Sequence, residues 1–280
     1  MTTIETRSLT KRFGAVVAVD EVSFQVGPGE VVGLLGANGA GKTTTMKMLL
    51  GLLPPTSGSA LIGGRPVAEV DRTTMGYVPQ GLGLYRDLTV VENVEFASAA
   101  FGVPMPSLTD AGLDHVANRQ IGHISLGLRR RVAFVVARCH NPSVLILDEP
   151  TSGVGPLGRA RLWETIHQTA DEGAAVLVST HYMEEAEECD RVILMAGGRE
   201  VMAGTVAEVV GRFTTVSVAG ELDDSVMARL REAGGTVLLA RDGWRVVGVD
   251  ASIVSSLVGP SARVEESAAT FEEAFVALSS

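Results

Sequence analysis

This 280-residue sequence predicts a doubly covered α/β sheet followed by a small α+β domain. Three observations predict it. A glycine-rich loop directly follows an apolar run, further continuous apolar runs alternate with helical segments up to about Gly211, and beyond Gly211 the texture changes to shorter elements in βαββαβ order. We expect one domain over residues 1–211 and a second over 212–280.

Strand-like runs at Val22–Val26 and Glu30–Leu35 lead into Gly36-Ala37-Asn38-Gly39-Ala40-Gly41-Lys42-Thr43-Thr44, which contains the phosphate-loop pattern G-x-x-x-x-G-K-[ST]. The glycines let the backbone turn and approach phosphate oxygens. A helix over Lys42–Leu52 would aim its free N–H groups at the same anion. Lys42 supplies a compact charge for the β and γ phosphates, and the Thr43 hydroxyl is a Mg²⁺ ligand, so the pattern implies a nucleoside triphosphate. Thr89 reads as the N-cap of a helix with Val90, Val91, Val94 and Phe96, closed by the proline-bearing stretch Gly102–Ser107. A helical run beyond Arg129-Arg130-Arg131 reaches His140, and Asn141-Pro142 breaks it. Val144-Leu145-Ile146-Leu147 and Ala174–Ser179 then read as strands buried on both faces of a parallel sheet. The first of them ends in Asp148-Glu149. Phosphoryl transfer needs carboxylates there: Asp148 for the Mg²⁺ shell, Glu149 to orient or deprotonate the attacking water.

Past Gly211, Thr214–Val218 reads as a strand, Asp223–Ala233 as a helix and Thr236–Arg241 as a strand. Asp242-Gly243 is a two-residue hairpin signal that would set Leu239 across from Val246. A helix near Ile253–Val258, a strand near Ala262–Val264 and a last helix capped by Thr270 and Glu273 follow. Nothing catalytic shows in this part.

The net charge of −10 argues against a nucleic-acid binder, which needs a basic face. Cys139 and Cys189 lie far apart without metal-ligand spacing, so reduced cytosol is the expected compartment. The N-terminal residues lack an apolar signal region and no run approaches the ~18 apolar residues of a membrane span, so service to a membrane requires a partner.

The order of these motifs resembles the ATP-binding cassette (ABC) ATPase family over residues 1 to about 210. Besides Gly36–Thr44, the resemblance rests on Tyr77-Val78-Pro79-Gln80, on Leu147-Asp148-Glu149-Pro150-Thr151-Ser152-Gly153 and on Ser179-Thr180-His181. It implies the P-loop NTPase fold of an ABC ATPase with a small helical subdomain at about 81–140, and has Gln80 touching Mg²⁺ or the attacking water, His181 hydrogen-bonding the γ-phosphate and Phe13 stacking on adenine. The family's Leu-Ser-Gly-Gly-Gln signature aligns with Ile124-Ser125-Leu126-Gly127-Leu128, which keeps Ser125 and Gly127 only, and Gly155 stands where the family usually has aspartate. In the family the signature caps the nucleotide of the opposite subunit, so asymmetric sites are expected, with a second ATPase chain favoured over a homodimer. The run Ser179–Arg191 and the ending Phe271–Leu278 are similar to ATPase subunits of drug and antibiotic exporters. The implied assembly is a cytoplasmic ATPase on the inner face of the cell membrane, driving a separately encoded polytopic permease. The alternatives are a soluble assembly ATPase of the iron–sulfur cluster type and a regulatory, binding-only cassette.

Overall fold

The computed structural model describes residues 3–241, 243–259 and 262–279, and divides the chain into two compact units, Met1–Glu200 and Val201–Ser280. The first unit opens with β1 (Ile4–Phe13), β2 (Val16–Val22), β3 (Gln25–Val26) and β4 (Val31–Leu35), then α1 (Lys42–Leu49), β5 (Ser57–Ile62), β6 (Arg65–Pro66) and β7 (Met75–Val78). Helices α2 (Val90–Phe101) and α3 (Leu126–Arg138) follow, then β8 (Val144–Asp148), α4 (Pro156–Asp171), β9 (Ala175–Thr180) and β10 (Arg191–Ala196). Strand β11 (Arg199–Gly204) carries the chain into the second unit.

Strands β10, β4, β9, β8 and β7 are consecutive, parallel neighbours in one sheet. Every residue of β4, β8 and β9 is buried, as expected of strands covered on both faces. On one side Phe134 of α3 and Leu162, Trp163 and Ile166 of α4 pack in a common core with Leu145, Leu147, Val176 and Val178. This arrangement gathers the carboxyl ends of β4, β7, β8 and β9, the edge of a parallel sheet where ligands bind.

A second sheet, absent from the sequence reading, is antiparallel: β2, β1, β5 and β6 in that order, with β3 also on β1. The expected strand Val22–Val26 is therefore two pieces, because Val22 ends β2 opposite Leu9 while Gln25 and Val26 pair with Glu5 and Ile4. Helix α1 stops at Leu49 rather than Leu52, since Gly51 adopts a left-handed turn (φ 64°). The helical subdomain has a core of its own, in which Val90 and Val94 of α2 meet Val132 of α3 along with Leu113, Val116, Ile121 and Ile124. Helix α2 begins with the Thr89–Glu92 capping box, and α3 with Ser125 as its N-cap.

The second unit contains α5 (Val206–Val210), β12 (Thr214–Ala219), α6 (Asp224–Glu232), β13 (Thr236–Ala240), β14 (Gly243–Val247), α7 (Ala251–Val258), β15 (Arg263–Ala268) and α8 (Phe271–Ser279). The strands form an antiparallel sheet in the order β13-β14-β12-β15, over a core of Val216, Val218, Leu230, Val246 and Val254. Helix α5 packs with α8, so the division into units falls ahead of α5, while the boundary expected from sequence lies after it. The hairpin register also differs from expectation. Leu239 pairs with Trp244 and Val237 with Val246, because Ala240 and Gly243 close the ladder. Asp242 of the expected turn lies outside the described residues. The Thr270–Glu273 cap is formed, and Glu273 also receives Arg245 at 2.7 Å.

Candidate nucleotide site

The carboxyl end of β4 feeds a loop that turns back on itself through Ala40 N–H to Ala37 carbonyl (3.1 Å) and enters α1 at Lys42. Gly41 is the N-cap, with φ 100° and no capping side chain, so the first N–H groups of α1 stay free for an anion. A Cβ at Gly41 would sit 2.6 Å from the Ala18 carbonyl of β2, so only glycine lets the loop lie this close to the hairpin. Lys42 is buried. Its Nζ donates to the Gly36 (2.6 Å) and Ala37 (3.1 Å) carbonyls, and burial lowers its basicity against the opposing pull of Glu149 and Asp148. The loop lines a cavity of about 310 Å³ with Ala18, Asn38, Gly39, Ala40, Gly41, Lys42, Thr43, Thr44, Gln80 and Glu149 at its walls. Two larger grooves, about 600 Å³ beside α4 and about 650 Å³ on the second unit, contain none of these residues, so convergent chemistry rather than volume marks the site.

Strand β8 delivers the two carboxylates. Asp148 is 1% exposed and its Oδ1 accepts from Ser179 Oγ (2.7 Å) and Thr43 Oγ1 (3.1 Å). Ser179 Oγ in turn accepts from the Glu149 N–H at 3.0 Å. Burial and the Asp148 charge push the Tyr77 phenol up to about 12, which keeps it neutral behind the site. Glu149 sits in the left-handed region (φ 49°), a conformation that costs a non-glycine residue on the order of 1–3 kcal/mol and persists where its surroundings enforce it. Arg130 of α3 supplies that enforcement: its Nη1 donates to the Glu149 carbonyl (2.8 Å) while Nε and Nη2 donate to the Ser152 carbonyl (3.1 and 2.7 Å). The Glu149 side chain receives Gln80 Nε2 on Oε2 (3.2 Å), and His181 Nδ1 lies 3.3 Å from Oε1 without hydrogen-bond alignment. Four strand ends thus place Lys42, Gln80, Asp148, Glu149 and His181 together.

Phe13, Ser125 and Gly127 are not among the residues lining this cavity. Phe13 is 51% exposed at the tip of the β1–β2 hairpin, paired with Val16, with Lys11 Nζ 5.3 Å from its ring. Ser125 spends its hydroxyl on the Leu128 N–H (3.4 Å) as the cap of α3. Leu126, which stands at a signature glycine position, lies against the loop after Glu149: a Cβ at Gly153 (φ 73°) would meet Leu126 Cδ2 at 2.8 Å. Three residues of the site were not assigned from sequence. Ala18 carries no motif, Ser179 opens the recognised Ser179-Thr180-His181 but was given no role of its own, and Arg130 is hidden in an arginine triplet with nothing to mark which member turns inward.

A family profile described as "ABC transporter" matches residues 19–152. The chain is 43% identical over 215 residues to the probable multidrug ABC transporter ATP-binding protein YbhF of Escherichia coli, covering 73% of this chain and 37% of that protein. It is 42% identical over 213 residues to the Nod factor export ATP-binding protein I of Burkholderia lata, covering 72% of this chain and 70% of that one. Among solved structures, the ATP-binding subunit of an ABC transporter superposes with a TM-score of 0.69 at 31% identity over 75% of this chain and 92% of its own. A dimeric post-hydrolysis cassette bound to ADP and Pi gives 0.65 at 25% identity over 72% of this chain and 98% of its own. With a phosphate loop, a carboxylate pair and a histidine converging at the strand ends, and with the Nod factor export protein 42% identical over 70% of its length, the chain belongs to the family of ABC transporter ATP-binding proteins.

Proposed function

We propose that this chain binds and hydrolyses ATP as the motor of an exporter whose membrane permease is a separate chain. The observation that carries the hydrolytic part is Glu149, aimed into the phosphate-loop cavity and flanked by Gln80 at 3.2 Å and His181 at 3.3 Å. The free N–H groups of α1 and Lys42 hold the β and γ phosphates, Lys42 by exchanging its two loop carbonyls for phosphate oxygens. Thr43 Oγ1 and Asp148 Oδ1, 3.1 Å apart, form the hard-oxygen pair that suits Mg²⁺, an ion that takes only one or two protein ligands beside phosphate oxygens. Bound there with Gln80 nearby, Mg²⁺ would neutralise charge developing on the transferred phosphoryl group. Glu149 accepts the proton of the attacking water, and His181 steadies the γ-phosphate oxygens by hydrogen bonding.

The relatives named for multidrug and Nod factor export support the export direction. No helix among the described residues is long and apolar enough to cross a membrane; in this reading a separate permease spans it and the chain works from the cytoplasmic side. Residues 1–211 would then form the motor and 212–280 an accessory domain. The test is to identify the membrane protein that copurifies and to assay the complex for ATP hydrolysis. A soluble scaffold complex in its place would favour the assembly-ATPase reading.

Phe13 tests the adenine contact. Its half-exposed ring is free to stack, so Phe13→Ala should weaken ATP binding by roughly 1–3 kcal/mol while Phe13→Tyr retains it. Unchanged affinity in the alanine variant would remove Phe13 from the site.

The signature bears on assembly. Leu126 occupies a glycine position and rests on Gly153, and Leu128 replaces an amide, so the partner's nucleotide loses contacts worth roughly 1.5–3 kcal/mol each. The reading is a heterodimer in which a second ATPase chain supplies an intact signature to the Lys42–Glu149 site. Restoring Leu126→Gly with Leu128→Gln should raise hydrolysis by the isolated chain at least about tenfold, as one such contact predicts. Robust turnover by the unmodified homodimer, unimproved by the restoration, would sink the asymmetric assembly.

A further inference from the structure

Glu185, four residues beyond His181, is 2% exposed, and neither carboxylate oxygen has a hydrogen bond. Its nearest ion-pair partner is Arg159 Nε at 3.7 Å, itself buried without a hydrogen bond. A carboxylate is kept inside a protein only where other charges hold it. Arg159 does so here by contact, with Arg130 as a more remote charge. Arg159 lies in the first turn of α4, where the helix dipole disfavours a positive charge, and its guanidinium stands 5.0 Å from the Tyr182 ring. Arg130, buried on α3, feels the charges of Glu149, Glu185 and Tyr182 against the cost of its own desolvation.

These cations also bear on the loops around the site. Arg130 fixes the carbonyls of Glu149 and Ser152, and Arg159 opens the helix that follows the Ser152–Gly155 loop. The segment bearing Glu185 begins at His181, whose ring lies 4.2 Å from that of Tyr182. We propose that Glu185 is a positioning residue for hydrolysis: its buried carboxylate pairs with Arg159, at the start of the helix that follows the Ser152–Gly155 loop, and thereby ties the His181 segment to the loop that carries Glu149. Neutralising it leaves the inaccessible Arg159 Nε without its counter-charge, and the start of α4 loses its tie to the His181 segment. This assignment rests on the hydrolytic reading of Glu149 and His181.

The test uses the full chain in its native complex and compares Glu185→Gln, which keeps the shape and removes the charge, with Glu185→Asp. For Glu185→Gln we expect kcat for phosphate release to fall about tenfold to a hundredfold, the loss typical of misplacing a reacting group by about an ångström, with the KM for ATP little changed. Glu185→Asp should recover part of the loss. Amide hydrogen exchange, read on the isolated full chain without nucleotide, should quicken in 149–154 as well as in 181–188. A purely structural residue would lower thermal stability and quicken its own segment only, and that result overturns the proposal, as does an unchanged kcat. If Glu185→Gln fails to fold, the double variant Glu185→Gln with Arg159→Gln removes both charges at similar volume, and wild-type kcat and exchange in that chain would equally refute the role. A wild-type complex that binds ATP without hydrolysing it overturns the hydrolytic reading instead, and the exchange comparison still decides whether Glu185 couples the two segments.

Discussion

Replacing Glu149 with glutamine is expected to lower ATP turnover by about 10²–10⁴ while leaving nucleotide affinity within a few-fold, the range spanned by loss of a general base. The substitution changes little else. A glutamine oxygen still accepts the Gln80 amide that now reaches Oε2 at 3.2 Å, and the backbone bonds to Arg130 and Ser179 do not involve the side chain. Lys42, Thr43 and Asp148, the groups assigned to phosphate and Mg²⁺, keep their own partners. What disappears is the charge proposed to accept the proton of water. Nucleotide affinity and single-turnover phosphate release, measured on the same preparation of the assembled complex, separate binding from chemistry. Turnover near the parent level would take Glu149 out of the base role and leave His181 as the next group to examine.

The parallel sheet was legible in the sequence because β4, β8 and β9 are buried on both faces, so their composition needs no alternation to betray them. The antiparallel sheet was not. In β1 a bulge between Leu9 and Lys11 breaks the alternation that would announce a half-buried strand, and β5 begins Ser57-Gly58-Ser59, which reads as a turn. In the second unit the glycine of the Asp-Gly pair belongs to the strand rather than the turn, which shifted the expected pairing of Leu239. The site divides on similar lines. Gly36–Thr44, Gln80, Asp148, Glu149 and His181 sit at strand ends and in motifs that are contiguous in sequence. Ser179 and Arg130 act on Asp148 and Glu149 across separations of 31 and 19 residues, through a hydroxyl and a guanidinium that no local pattern distinguishes from a core serine or a surface arginine. Only the packing of α3 against the sheet turns Arg130 inward while Arg129 bonds to Gly122 and Ile124 and Arg131 to Gly112.

That inward arginine is the second place where one substitution should have a large effect. Arg130→Met keeps most of the volume and removes three charge-assisted donors, so the buried Glu149 and Ser152 carbonyls lose the partners that hold them at 2.7–3.1 Å. Each orphaned acceptor costs roughly 1–3 kcal/mol, and the desolvation penalty of the guanidinium is recovered in part, which leaves a net loss of about 2–4 kcal/mol. Turnover should fall as well, because the left-handed backbone of Glu149 is then free to relax and withdraw the carboxylate from Gln80 and His181. Arg130→Lys should not rescue either property, since a single ammonium lacks the planar fork that spans two carbonyls. The first unit reports its own unfolding through Trp163, 3% exposed in its core, once Trp244 of the second unit is replaced by phenylalanine to silence the other signal. Denaturant titration of that background with and without Arg130→Met gives the stability change, and phosphate release gives the catalytic one. A shift under about 0.5 kcal/mol, the level of an ordinary surface substitution, together with parental turnover would show that the loop holds Glu149 without this arginine.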